Sequence, residues 1–154
     1  MGLNHRREIG SRAGALLISA AVSDRRATFA APDGLAPAAG YSHVVSIPAG
    51  RLVWTSGQVA IDADGNVAPD DGWAEQTRLA FTNVGSALRA AGAGWPDVVK
   101  LTFFVLDVSA LPTIRAVRDE FVDTTRPPTS SLVQVAGLVH PDLLIEVEAV
   151  AWLP

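Results

Sequence analysis

The chain has 154 residues, about the length of one domain, and can bury roughly two thirds of the surface that its unfolded form exposes. Hydrophobic residues make up 49% and charged residues 18%, a balance that supports a packed core and argues against intrinsic disorder. There is no cysteine, which excludes disulfides, thiolate metal sites and cysteine nucleophiles, and no apolar run approaches the ~18 residues of a membrane-spanning helix.

The net charge of −4 gives no wholesale attraction to nucleic acid or anionic lipid, and it is unevenly placed. Residues 1–28 hold five arginines against Glu8 and Asp24, a local charge of +3, and the remaining 126 residues carry −7. Arg6, Arg7 and Arg12 followed by Ala13 to Val22 faintly resemble a secretory signal, but Ser19 interrupts the apolar run. Ser23-Asp24-Arg25-Arg26 is also a poor cleavage region, so the favoured reading is an N-terminal extension over 1–31. Pro32-Asp33-Gly34-Leu35-Ala36-Pro37 reads as a lead-in loop, and 32–154 as the packed domain.

From residue 41 the elements follow in order. Val44–Ile47 and Leu52–Ser56 are short β-rich runs, and Pro48-Ala49-Gly50 suits a hairpin between them. Asp64-Gly65-Asn66 marks a turn. Over 72–91 the period becomes helical, with Trp73, Thr77, Ala80, Phe81, Val84 and Leu88 on one face and Gly92 and Gly94 as the stop. Val98–Val108 is apolar on both alternating sets and predicts a strand covered on both faces. Leu111, Ile114, Val117, Phe121 and Val122 predict a second helix, ended by Arg126-Pro127-Pro128. Strands over about 130–136 and 143–152 complete the order β-β-α-β-α-β-β, an α+β fold of one sheet with two helices on one face.

Two helices cover one face of such a sheet, yet Leu132, Leu144, Val150, Trp152 and one set of the 98–108 strand need cover on the other. An apolar face of that size predicts a homo-oligomer packed through it.

Several motifs that suggest chemistry do not hold. Asp62 to Asn66 looks like a calcium loop, but Gly65 is fourth and Trp73 twelfth where an EF-hand requires Gly sixth and Glu twelfth. His5, His43 and His140 have no metal-ligand spacing, and no metal or cofactor is expected. Ser56, Ser86 and Ser130 lie outside any hydrolase elbow, and Gly92-Ala93-Gly94 follows a helix where a phosphate loop would open one. The informative pair is Glu146 and Glu148, about 6–7 Å apart on the open face of the last strand. Carboxylates on a covered face must be paired, hydrogen-bonded or held in an altered protonation state, and meeting arginines such as Arg51 or Arg78 across an interface would be the structural account.

Tyr41-Ser42-His43-Val44-Val45 and Trp54-Thr55-Ser56-Gly57-Gln58-Val59 resemble the opening of the Rid family (YjgF/RidA, reactive intermediate deaminases). So do Gln76-Thr77-Arg78, Asp97-Val98-Val99-Lys100-Leu101-Thr102, Val133-Gln134-Val135-Ala136-Gly137-Leu138 and Ile145-Glu146-Val147-Glu148-Ala149. The resemblance covers 32–154. It implies a chorismate-mutase-like fold, a cytoplasmic homotrimer with clefts between subunits, and cofactor-free hydrolysis of reactive imines or enamines to a keto acid and ammonia. Carried over by position, Glu146 would activate water, Tyr41 and Ser56 would line the cleft, and backbone near Ser56-Gly57 and Leu132 would contact the ligand.

One departure stands out. Where the family's deaminases hold an arginine that grips the substrate carboxylate, this chain has Ser130, and a nearby position that is often Cys or Thr is Leu132. Carboxylated imino acids are thereby disfavoured as substrates. Arg115, where the family often has asparagine, is a candidate replacement anchor. The competing readings are a divergent hydrolase with an altered substrate, a non-catalytic trimer that binds a small ligand or a protein, and a ribonuclease, the last opposed by the charge of −7.

Overall fold

Two strand–helix–strand units share one sheet, and the last strand is inserted between the two strands of the first unit. The computed structural model describes residues 27–30, 32–67 and 72–154, so the signal-like segment and most of the stretch read as an extension fall outside the described residues. The elements are β1 (Thr28–Ala30), β2 (Val44–Ser46), β3 (Arg51–Trp54), β4 (Gln58–Val59), α1 (Gly72–Ala90), β5 (Val98–Val105), α2 (Leu111–Arg118), β6 (Thr129–Gln134) and β7 (Ile145–Leu153). The main sheet runs β3-β7-β5-β6, with β4 also paired to β7. β5 and β6 are parallel, which requires a crossover, and α2 supplies it.

Alternation along β7 decides the two faces. Ile145, Val147, Ala149 and Ala151 are buried toward the helices, against Phe81, Val84 and Leu88 of α1 and Ile114 of α2. Glu146, Glu148 and Val150 point to the other face and are half-buried. That face also carries Leu52 and Trp54 of β3 and Val133 of β6, all exposed, with Trp54 at 66%. The expected apolar open face is therefore present in part, since Trp152, expected to need cover there, is already buried within the subunit at 6% exposure.

α1 does more than supply a core face. Gln76 is 2% exposed; its Nε2 donates to the Asp142 carbonyl at 2.7 Å and its Oε1 accepts from Leu144 N at 2.8 Å. One side chain thus fixes the approach to β7, two residues before Glu146. Gln76→Leu would leave both backbone groups without partners. It is expected to cost about 2 kcal/mol, read as a fall of about 4–8 °C in Tm by calorimetry.

Four local expectations need correction. β2 and β3 form no hairpin: β2 pairs with β1, with Phe29 opposite Val45, while β3 pairs with β7. β1 lies within the stretch read as an extension and is held by Arg126, whose guanidinium sits 4.8 Å from the Phe29 ring centre. β5 ends at Val105 and not at Val108. Asp107 accepts from Ser109 N at 2.8 Å and turns the chain into a short 3-10 segment, Val108–Ala110. α2 stops at Arg118, because Glu120 N and Phe121 N bond three residues back, to Val117 O and Arg118 O. This tighter turn brings the Phe121 ring to 5.2 Å from Phe81 and 5.5 Å from Trp95.

The fourth concerns Leu132. The parallel register sets Ser130 opposite Leu101 and Leu132 opposite Phe103. Both therefore face the helices, and Leu132 is not part of the open face. Ser131 and Val133 take those positions.

Candidate functional site

A cavity of about 260 Å³ lies between α2, the β5–β6 edge and the loop before β2. Its floor is Phe103, Ser130 and Leu132, and one wall is Tyr41 with Ala39. The other wall is α2, through Leu111, Ile114, Arg115 and Arg118, positions separated by three, one and three residues that share one helix face. The loop is fastened to the start of β6: Ser42 N donates to Pro128 O at 3.2 Å and Ser42 Oγ to Pro127 O at 2.6 Å. Tyr41 is further held edge-on against His43, ring centres 5.1 Å apart, and His43 Nε2 donates to Ala36 O at 2.7 Å.

Arg118 is the residue the sequence reading missed. It is buried, at 7% exposure, and its Nε and Nη2 both donate to Asp119 Oδ1, at 2.8 and 2.6 Å. Gly40 lies against the guanidinium. A methyl group on Gly40 would overlap Nη2 and stand 3.2 Å from Nη1, and its φ of 78° also favours glycine. The helical spacing of 111, 114, 115 and 118 was the available signal. Arg115 reaches the same cavity.

Glu146 is elsewhere, on the opposite face of the sheet. Its neighbours across the ladder are Val59 of β4 and Phe104 of β5. It borders a shallow cavity of about 270 Å³ with Phe104, Val135, Gly137 and Leu138. Between β3 and β4 the chain bends at Ser56-Gly57, and Thr55 secures the bend by exchanging bonds with Ala149 at 2.9 and 3.0 Å. A side chain at Gly57 would overlap Glu146 Oε1 and lie 2.6 Å from its Cδ. The carboxylate thus rests directly on the Gly57 backbone, and among the described residues it accepts no hydrogen bond.

Within one subunit the arginines suggested as partners across an interface are engaged elsewhere. Arg51 donates to Ala91 O at 2.9 Å, and Arg78 holds Glu120 at 2.8 and 3.0 Å as well as Glu75. Glu120 is held below the usual carboxylate range by its hydrogen bond to Arg78. Glu148 instead acts on Lys100, whose ammonium is pushed below its ordinary range by burial while Glu148 pulls it back. Lys100 Nζ donates to Ser131 Oγ at 2.6 Å.

The expected site residues therefore form two groups in one subunit. Tyr41, Arg115, Ser130 and Leu132 share the helix-side cavity, while Ser56, Gly57 and Glu146 lie on or beside the open face.

Residues 31–153 match the family model described as Endoribonuclease L-PSP. A RutC family protein of Synechocystis is 34% identical over 120 residues, covering 77% of this chain and 90% of that protein. A 2-iminobutanoate/2-iminopropanoate deaminase of Escherichia coli K12 is 36% identical over 118 residues, covering 75% and 91%. Among solved structures, a Rid-family protein of unknown function from Yersinia pestis superimposes with a TM-score of 0.73 at 34% identity, covering 82% of this chain and 98% of that one. The fold and these matches define a protein of the YjgF/Rid class, with an α+β, chorismate-mutase-like fold. The chain belongs to the Endoribonuclease L-PSP (YjgF/Rid) family.

Proposed function

We propose that this chain is a cytoplasmic, cofactor-free deaminase that works as a homotrimer, hydrolysing a reactive imine or enamine in clefts between subunits. The observation that carries this reading is the division of the site. A phenol and two guanidiniums line a cavity on one face of the sheet, and a carboxylate without a hydrogen-bond partner among the described residues lies on the other. One subunit cannot bring them together, whereas a second copy packed on the apolar open face offers its Glu146 to a neighbour's cavity. The related deaminase of E. coli supports the reaction class.

In such a cleft Glu146 takes a proton from water as the water oxygen attacks the imine carbon, forming a C–O bond. The nitrogen is protonated, the C–N bond breaks, and ammonia leaves as the carbonyl forms; imine plus water gives carbonyl plus ammonia. Tyr41 donates a hydrogen bond to the substrate, and backbone at Ser56-Gly57 and near Leu132 borders it. Ser130 cannot supply the charge of an arginine, so the substrate is bound differently from that of the arginine-bearing relatives.

The test is ammonia release from imines generated in place, 2-iminopropanoate among them, by the natural chain and by Ser130→Arg, together with the mass in solution by sedimentation. Acceleration by the natural chain and a trimeric mass are expected. Activity confined to Ser130→Arg would mean that the native substrate is a different one. No acceleration in either favours the alternative, a non-catalytic trimeric ligand-binding or interaction module, and a monomer removes the shared cleft altogether.

A further inference from the structure

Position 130 alone argues for an uncharged substrate, but the cavity does not. A buried guanidinium is costly unless well paired, and Arg118 has only Asp119, itself 42% exposed, on its Nε and Nη2. Its Nη1 donates to nothing among the described residues, and its side chain lines the cavity floored by Ser130 and Phe103. The Gly40 backbone closes over the guanidinium and restricts it to this orientation. Arg115, on the same wall, makes no ion pair among the described residues. Two guanidiniums against the one Asp119 carboxylate leave a net charge of +1 at the cavity, which fits a monoanion, and the Arg118 Nη1 is the buried donor left to receive it.

We infer that Arg118 is the specificity-determining residue of this cavity and that its ligand is a small monocarboxylate, docked against α2 with its apolar part over Phe103. This rests on the cavity being the substrate pocket. The serine at 130 then opens room at the floor, and the anion-recognising group comes from the helix.

Binding of 2-oxobutanoate, the keto-acid form of such a product, is compared with that of 2-butanone, uncharged and of equal carbon number, by calorimetry and by amide chemical shifts of the full-length chain. The acid is expected to bind about tenfold or more tightly than the ketone, with the largest shifts at Ser130 and Leu132. Arg118→Gln removes that preference, Arg118→Lys keeps part of it, and Arg115→Gln weakens both arginine-dependent effects less. Equal binding of acid and ketone by the natural chain overturns the inference, with no variant needed should Arg118→Gln fail to fold. So does a preference that survives Arg118→Gln, or shifts confined to other parts of the chain. Acid binding that depends on Arg118 without ammonia release from any imine upholds this inference and overturns the catalytic reading. Ammonia release without an acid preference does the reverse.

Discussion

Glu146→Gln is expected to lower kcat for imine hydrolysis by about a hundredfold or more, the usual contribution of a positioned general base. Glutamine keeps the shape and the hydrogen-bonding capacity of the side chain but cannot accept a proton. Because the Glu146 carboxylate accepts no hydrogen bond among the described residues, the exchange removes no such contact within the subunit. The melting temperature should stay within about 2 °C of the natural chain, as for other substitutions that leave packing intact. Binding of 2-oxobutanoate should change by less than about threefold, since the anion contacts lie across the cleft on α2. Steady-state kinetics, calorimetry and sedimentation check these together. Undiminished turnover would show that the proton is taken by another group.

Periodicity made most of this fold legible. α1 could be read because seven of its residues are buried on one helical face, and β7 because Ile145, Val147, Ala149 and Ala151 alternate with half-buried neighbours. What failed depended on partners distant in sequence. β2 and β3 are each short enough to suit a hairpin, but nothing local says that Phe29 will pair with Val45 or that Leu52 will meet Trp152. The face of Leu132 was misjudged for a similar reason. It depends on the parallel register with β5, a relation fixed by the length and packing of the α2 crossover. The end of α2 was missed because Phe121 and Val122 keep an apolar spacing after the hydrogen bonding has tightened.

The site was legible in its parts but not in its layout. Tyr41, Ser130, Leu132 and Arg115 were named from resemblance, and they do line one cavity. Arg118 was not among the expected site residues, because its burial is created by Gly40 and the loop before β2, more than seventy residues away in the chain. Glu146 was correctly placed with Glu148 on one face by alternation alone. That this face lies on the opposite side of the sheet from the cavity follows only from the register of β5 with β6 and β7. It is this separation that makes a second subunit necessary for the proposed chemistry.

Gly57→Ala is the sharper test of how Glu146 is held. A methyl at position 57 overlaps Oε1 and approaches Cδ to 2.6 Å and Cγ to 2.9 Å, so the carboxylate must leave its place on the backbone. The atoms in the way belong to a flexible side chain, and Gly57 shows no positive φ that would strain alanine there. The chain should therefore fold with a stability loss below about 1 kcal/mol, while kcat falls by about tenfold to a hundredfold as the base is displaced from the reacting water. If both changes act through one carboxylate, they cannot be additive. Gly57→Ala combined with Glu146→Gln should then be no more than about twofold slower than Glu146→Gln alone. A double variant slowed by the product of the two single effects would show that Gly57 contributes through its own backbone and not by seating Glu146. Turnover of Gly57→Ala equal to that of the natural chain would mean that the carboxylate position seen beside Gly57 is not the one used in catalysis.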